Sequence, residues 1–237
     1  MGARRSVLHL AGPPPQQPGV AVRWVEGPEG FQDAAAIVLP GTRDTIADLR
    51  WLWETGLGAA VRTRAGAGLP VVGLCGGYQM LGREVSDPLG VEAGGSTPGL
   101  GLLDLRTALA GSKHTHLTSV RFVAPEGVFA ALRGHEIAGY EIHHGETSIG
   151  ASTQVWFESA RGPLGAGRGS VWGTYLHGFF ADDLARRVWV SALHGECTMP
   201  AWEARVDAGI DRIADAVAAA VDIDAVTQLI ENGVPCG

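Results

Sequence analysis

The sequence predicts an α/β fold: a mostly parallel sheet flanked by helices, with added antiparallel strands in the middle of the chain. Three observations predict it. Over the first 85 residues, short apolar runs alternate with segments of helical period, the strand–helix–strand–helix order that builds parallel sheets. From about 86 to 180 the chain turns to short alternating runs rich in Gly, Thr and Val, which read as hairpins. The tail returns to a helical period.

Composition agrees. The 237 residues are 46% hydrophobic and only 18% charged, enough for a buried core and too apolar for disorder. Glycine occurs 35 times without a G-X-Y period, which implies many tight turns and excludes collagen. A net charge of −7 and no long basic run argue against nucleic acid. The longest uncharged stretch, 65–82, holds six Gly and a Pro, so no membrane span is expected. Without an apolar leader in Met1–Gly12, the chain is expected to be cytoplasmic. Cys75, Cys197 and Cys236 are too few for a disulfide framework.

Residues 1–18 read as an irregular N-terminal segment because Pro13, Pro14, Pro15 and Pro18 forbid a helix, and 19–237 read as a single domain. Val20 to Val25 alternates and predicts a strand. Ala35 to Leu39 is an apolar run stopped by Pro40-Gly41, a buried strand reaching a turn. Asp44 or Thr45 can cap a helix carrying Ile46, Leu49, Leu52 and Trp53, ending near Gly56, and Val61 and Ala65 belong to a second helix. Pro70 to Leu74 is another buried strand, stopping at Cys75, and a helix starts at Tyr78. His116–Phe122, Gln154–Glu158 and Ser170–Leu176 read as strands, the last delivered by a turn at Gly165–Gly169. Leu184, Val188 and Ala192 share a helical face. Trp202, Val206, Ile210, Ile213 and Val217 step by one helical turn, and Asp222 or Asp224 can cap a last helix ending before Gly233.

Cys75 carries the sharpest chemical signal. A single Cys is more often a buried structural residue, but here an apolar strand runs into it, Gly76-Gly77 follows, and a helix leaves at once. That is a nucleophile elbow, with a side chain held on a tight turn at a strand's carboxyl end. A helix N-terminus favours thiolate, and the amides after Cys75 can receive an oxyanion. The thiolate needs a base. His177 closes the strand Thr174–His177, which puts it on the same rim if both strands share the sheet. His114, His116, His143 and His144 lack the Cys or Glu spacing of a zinc site, so no metal is expected. Lys113 is the one lysine and lies in no phosphate-binding loop.

These residues resemble a known family. Gly73-Leu74-Cys75-Gly76-Gly77-Tyr78-Gln79, Gly139-Tyr140-Glu141-Ile142-His143, Thr174-Tyr175-Leu176-His177-Gly178 and the loop Leu39 to Thr45 look like the glutaminase domain of cobyric acid synthases, over about residues 19 to 230. The resemblance implies a flavodoxin-like class I glutamine amidotransferase fold that takes glutamine and supplies ammonia for amidation of cobyrinic acid a,c-diamide. It implies attack by Cys75 on the glutamine amide and an oxyanion held by amides of Gly76 and the Gly41 loop. It also implies proton transfer by His177 and substrate contacts from Gln79 and His143. Class I enzymes often carry Glu two residues after the His; here that position is Phe179, so a Cys–His dyad is expected. The resemblance further implies an ATP-dependent synthetase partner, as a separate chain or as the lost half of a split gene. ATP and Mg belong to that partner, with no cofactor expected in this chain. Two other readings stay open: a stand-alone glutaminase serving a cell-wall ligase that amidates lipid II, and an inactive, truncated binding module.

Overall fold

A computed structural model describes residues 20–92, 94–124, 127–195 and 200–233. The expectation for residues 1–18, and Cys197 and Cys236, lie outside them. Backbone contacts divide the chain into two compact units, Met1–Thr198 and Met199–Gly237, where the sequence suggests one domain from 19 to 237.

In the first unit, β1 (Ile37–Leu39) is buried along its whole length and leads through Pro40-Gly41 to α1 (Thr45–Glu54). The Asp44 carboxylate caps α1 by accepting the Ala47 amide at 2.9 Å. Helix α1 buries Ile46, Leu49 and Leu52, as its period requires. Then come α2 (Leu57–Gly66), β2 (Val71–Leu74), the short α3 (Gly76–Met80), β3 (Glu84–Asp87) and β4 (Gly95–Pro98). Two long strands follow, β5 (Leu105–Phe122) and β6 (Glu136–Ile149), then β7 (Gln154–Ser159), β8 (Gly162–Arg168), β9 (Val171–Thr174), the two-residue β10 (Leu176–His177) and α4 (Asp183–His194). Among the described residues these strands form one mixed sheet in the order β1-β2-β9-β8-β7-β5-β3-β4, with β6 paired to β5 and β10 to β6. Pairing is parallel for β1–β2, β2–β9 and β3–β5 and antiparallel elsewhere. The α/β class is as expected. The antiparallel share is larger than the sequence suggests, because β5 and β6 run far beyond the short segment legible at His116–Phe122.

Three local expectations are corrected. Val20 to Val25 is not a strand; only Val20 makes a bridge. Alternation alone does not make a strand without a neighbour to share hydrogen bonds. The segment instead leaves Trp24 42% exposed, and Arg23 donates to the Gly30 carbonyl at 2.6 Å. Gly165 to Arg168 belongs to β8 rather than to a turn, which falls at Gly169-Ser170. The glycines there serve close packing: a Cβ on Gly167 would lie 2.7 Å from the Trp156 ring. On α4 the buried face carries Ala185, Trp189 and Val190, while Leu184 is exposed. Trp189 decides the orientation because it joins Trp172 and Phe180 in an aromatic cluster, with ring centroids 6.4 and 5.2 Å away.

The second unit holds α5 (Trp202–Ala220) and α6 (Ile223–Asn232). Asp222 is the residue that caps α6, accepting the Ala225 amide at 2.9 Å. No helix among the described residues is long and apolar enough to cross a membrane.

Candidate active site

Parallel pairing brings three strand ends to one rim. Leu39 is level with Gly73, Gly73 with Gly173, and Leu74 with Thr174. The chain leaves β1 into Gly41, β2 into Cys75 and β9 into Tyr175–His177. The carboxyl edge of a parallel sheet is where such folds bind ligands.

Cys75 begins the elbow. Its amide donates to the Thr174 carbonyl at 2.9 Å, tying it to the end of β9. Its backbone is at φ 52°, ψ −113°, the one positive φ outside glycine among the described residues. Tight packing around the turn enforces this. A Cβ on Gly77 would stand 2.1 Å from the Leu39 carbonyl oxygen, and one on Gly73 would stand 2.6 Å from that of Gly77. Only glycines let β1, β2 and α3 close on one another there. Gly41 lies against Cys75: a Cβ built on it would be 3.3 Å from Cys75 Cβ and 3.9 Å from Sγ. Gly76 opens α3, so its amide has no carbonyl four residues back inside the helix.

The partner of Cys75 arrives from β10. Cys75 Sγ donates to the carbonyl of Ile142 at 3.3 Å, and the same carbonyl lies by the His177 imidazole and favours its charged form. Burial pushes the His177 pKa below its ordinary 6.5; His143 nearby adds to this, and the Ile142 carbonyl opposes it. His177 Nε2 is buried with no hydrogen-bond partner among the described residues, so it can accept a proton. Tyr140 stacks on the ring, with centroids 4.7 Å apart and planes 13° apart.

Gln79 and His143 sit behind this pair. Gln79 is 2% exposed; its Oε1 accepts Thr45 Oγ1 at 3.1 Å and its Nε2 donates to the His144 carbonyl at 3.0 Å. Its amide thus ties α1, α3 and β6 together. His143 is buried, with Nε2 2.7 Å from Glu141 Oε1 and its ring stacked on Tyr175 at 3.7 Å. Tyr175, pushed up to about 12 by burial, bonds Thr147 through its hydroxyl. Phe179 stands two residues after His177. It is 1% exposed and packs on Trp172, Phe129 and Phe157, so it anchors the segment after His177 in the core.

The structure therefore brings Cys75, His177, Gly41 and Gly76 to one place and sets Gln79 and His143 beneath it. Sequence reasoning missed Glu141, Tyr140 and the Ile142 carbonyl. Glu141 had a signal: two positions from His143 on a strand, it must share that residue's face. The Ile142 contact uses backbone and leaves no trace in side-chain identity. Also missed is the loop after β3. Asp87 accepts the amides of Val91, Glu92 and Gly94 at 2.8–2.9 Å. That fold of the loop presents Glu92, whose carboxylate accepts the Thr45 amide at 2.6 Å at the start of α1. Among the described residues, no group of three or more His, Cys, Asp or Glu could hold a metal ion.

Comparison with known proteins places this geometry. The profile of a CobB/CobQ-like glutamine amidotransferase domain matches residues 15–185. A cobyric acid synthase of Mycolicibacterium paratuberculosis is 43% identical over 226 residues, covering 92% of this chain and 42% of that protein. One from Roseiflexus castenholzii is 40% identical over 253 residues, covering 98% of this chain and 49% of that protein. The chain thus spans less than half the length of the curated relatives it matches. A solved structure described as a glutamine amidotransferase superposes with TM-score 0.55 at 18% identity, over 75% of this chain and 88% of the other, a likeness of fold.

Proposed function

The chain belongs to the CobB/CobQ-like glutamine amidotransferase family, and from that premise we propose that it is the glutaminase part of a cobyric acid synthase. In this reading it hydrolyses glutamine and passes ammonia to an ATP-dependent synthetase that amidates carboxylates of cobyrinic acid a,c-diamide. The names of the relatives support the corrin branch, and their greater length supports a synthetase portion acting with this one.

The convergence of Cys75 and His177 on one carbonyl carries the reading. Cys75 gives its proton to His177 and Sγ attacks the side-chain carbonyl carbon of glutamine. The amides of Gly76 and the Gly41 loop receive the developing oxyanion. His177 returns the proton to the departing nitrogen, the C–N bond breaks, ammonia leaves and a glutamyl thioester remains. His177 then takes a proton from water, hydroxide attacks the thioester, and glutamate departs as the thiol regains its proton. Gln79 and His143 support the floor of the site from within the protein. ATP is consumed on the synthetase, outside this chain.

The test is glutamate release from glutamine with and without an ATP-dependent synthetase, followed by transfer of the ¹⁵N-labelled amide nitrogen to the corrin. Cys75→Ala is expected to abolish glutamate release and to spare synthesis from added ammonia. Glutamate release that survives Cys75→Ala would overturn the mechanism.

A further inference from the structure

His177 is held by little backbone. Strand β10 is two residues long, and its partner in register is Tyr140 of β6. Tyr140 is in turn level with Leu117 of β5. Residues directly opposed in antiparallel strands share a face, so Leu117, Tyr140 and His177 form one row across three strands. The row grades from Leu117, 89% exposed, through Tyr140, 42% exposed, to the buried edge of the imidazole. The approach of β6 to β10 is close: a Cβ on Gly139 would lie 2.2 Å from the His177 carbonyl oxygen. That closeness sets the Tyr140 ring parallel to the imidazole.

The orientation of His177 needs an explanation, because no carboxylate bonds to it among the described residues. Phe179 takes the place of the usual Glu and points into the core. What touches the ring is the Tyr140 ring on one face, and the Ile142 carbonyl nearby favours its charged form.

We infer that Tyr140 is the positioning residue of His177, its aromatic plane fixing the imidazole where a third carboxylate would otherwise do so. The inference rests on the glutaminase reading above. A flat ring on one face leaves an imidazole sliding only in its own plane. Tyr140 also keeps water off the face it covers. The titratable groups near His177 are Cys75 from the end of β2 and His143 and Tyr140 from β6; Glu141 bonds His143 and His116. The stacking uses the tyrosine ring and not its hydroxyl, so phenylalanine should serve as well.

The experiment compares wild type, Tyr140→Phe and Tyr140→Ala in glutamine hydrolysis with the synthetase present. The same three proteins are followed by NMR titration of ¹³C-labelled histidine in the chain alone, with His177 assigned by its loss in His177→Gln. Tyr140→Ala is expected to lower kcat about 10- to 100-fold, the scale of a misplaced catalytic group, with KM changed less than about twofold. Its His177 titration should move up toward the ordinary imidazole value as water reaches the ring. Tyr140→Phe should keep both readouts, and Leu117→Ala, a change on the same exposed ribbon, should disturb neither. An unchanged kcat and titration in Tyr140→Ala would overturn the inference, as would a Tyr140→Phe variant as impaired as Tyr140→Ala. If wild type releases no glutamate, the functional reading falls, while the titration still decides whether Tyr140 holds His177.

Discussion

Replacing Cys75 by glycine and, separately, by alanine divides the elbow's backbone strain from its chemistry. At φ 52°, ψ −113°, a residue bearing a Cβ pays about 1–3 kcal/mol of conformational strain. Alanine keeps that penalty because it keeps the Cβ. Glycine removes it, but gives the unfolded chain extra freedom worth about 0.5–1 kcal/mol. The difference leaves Cys75→Gly more stable than Cys75→Ala by about 1 kcal/mol at mid-range. For a protein of this length that is a rise in Tm of roughly 2–4 °C. Calorimetry or denaturant midpoints of the two variants measure it, and neither variant should release glutamate. An alanine variant as stable as the glycine variant would refute the claim that the fold imposes a strained nucleophile.

Three more outcomes follow from the same structure. Gly77→Ala should destabilise by about 1–3 kcal/mol or more, since its Cβ meets the Leu39 backbone, which cannot swing aside; Gly66→Ala, with nothing within 4 Å, should be neutral or mildly stabilising in thermal melts. Because burial lowers the His177 pKa below 6.5, the unfolded chain takes up a proton that the folded chain refuses. Stability is therefore full above about 6.5 and falls as pH drops toward the lowered value, and His177→Gln should flatten that part of a pH series of urea unfolding curves. Burial opposes the Asp87 charge, but the Glu92, Val91 and Gly94 amides more than offset it and hold the carboxyl below its ordinary 3.8. Its contribution is present above that value and lost as pH falls through the lowered one. Asp87→Asn, which turns an amide group toward those donors, should cost about 1–3 kcal/mol at neutral pH, and glutaminase kcat should fall as Glu92 releases Thr45.

Much of the site was legible because its parts have strict local requirements. A strand that ends in Cys75-Gly76-Gly77 has few other uses, and His177 at the end of a strand is placed by topology once β2 and β9 are neighbours. The helix at Thr45 announced itself by its cap and the one at Trp202 by its period. What escaped reading depends on partners distant in sequence. Val20 to Val25 has the alternation of a strand, yet among the described residues it goes no further than the bridge at Val20. Gly165 and Gly167 look like turn residues and are instead hollowed places in β8, required by Trp156 and the β9 backbone. The Ile142 carbonyl is identical in every amino acid, so no side-chain pattern could mark it.

Phe179 links His177 to the interior. Two residues beyond His177, it is wedged among Trp172, Phe129 and Phe157, so the imidazole is moored to the aromatic cluster by a very short tether. Mutational drift inside that cluster would shift His177 as well as loosen the fold. A lineage free to exchange its surface would find these interior rings among the hardest positions to trade, for reasons of aim as well as of folding.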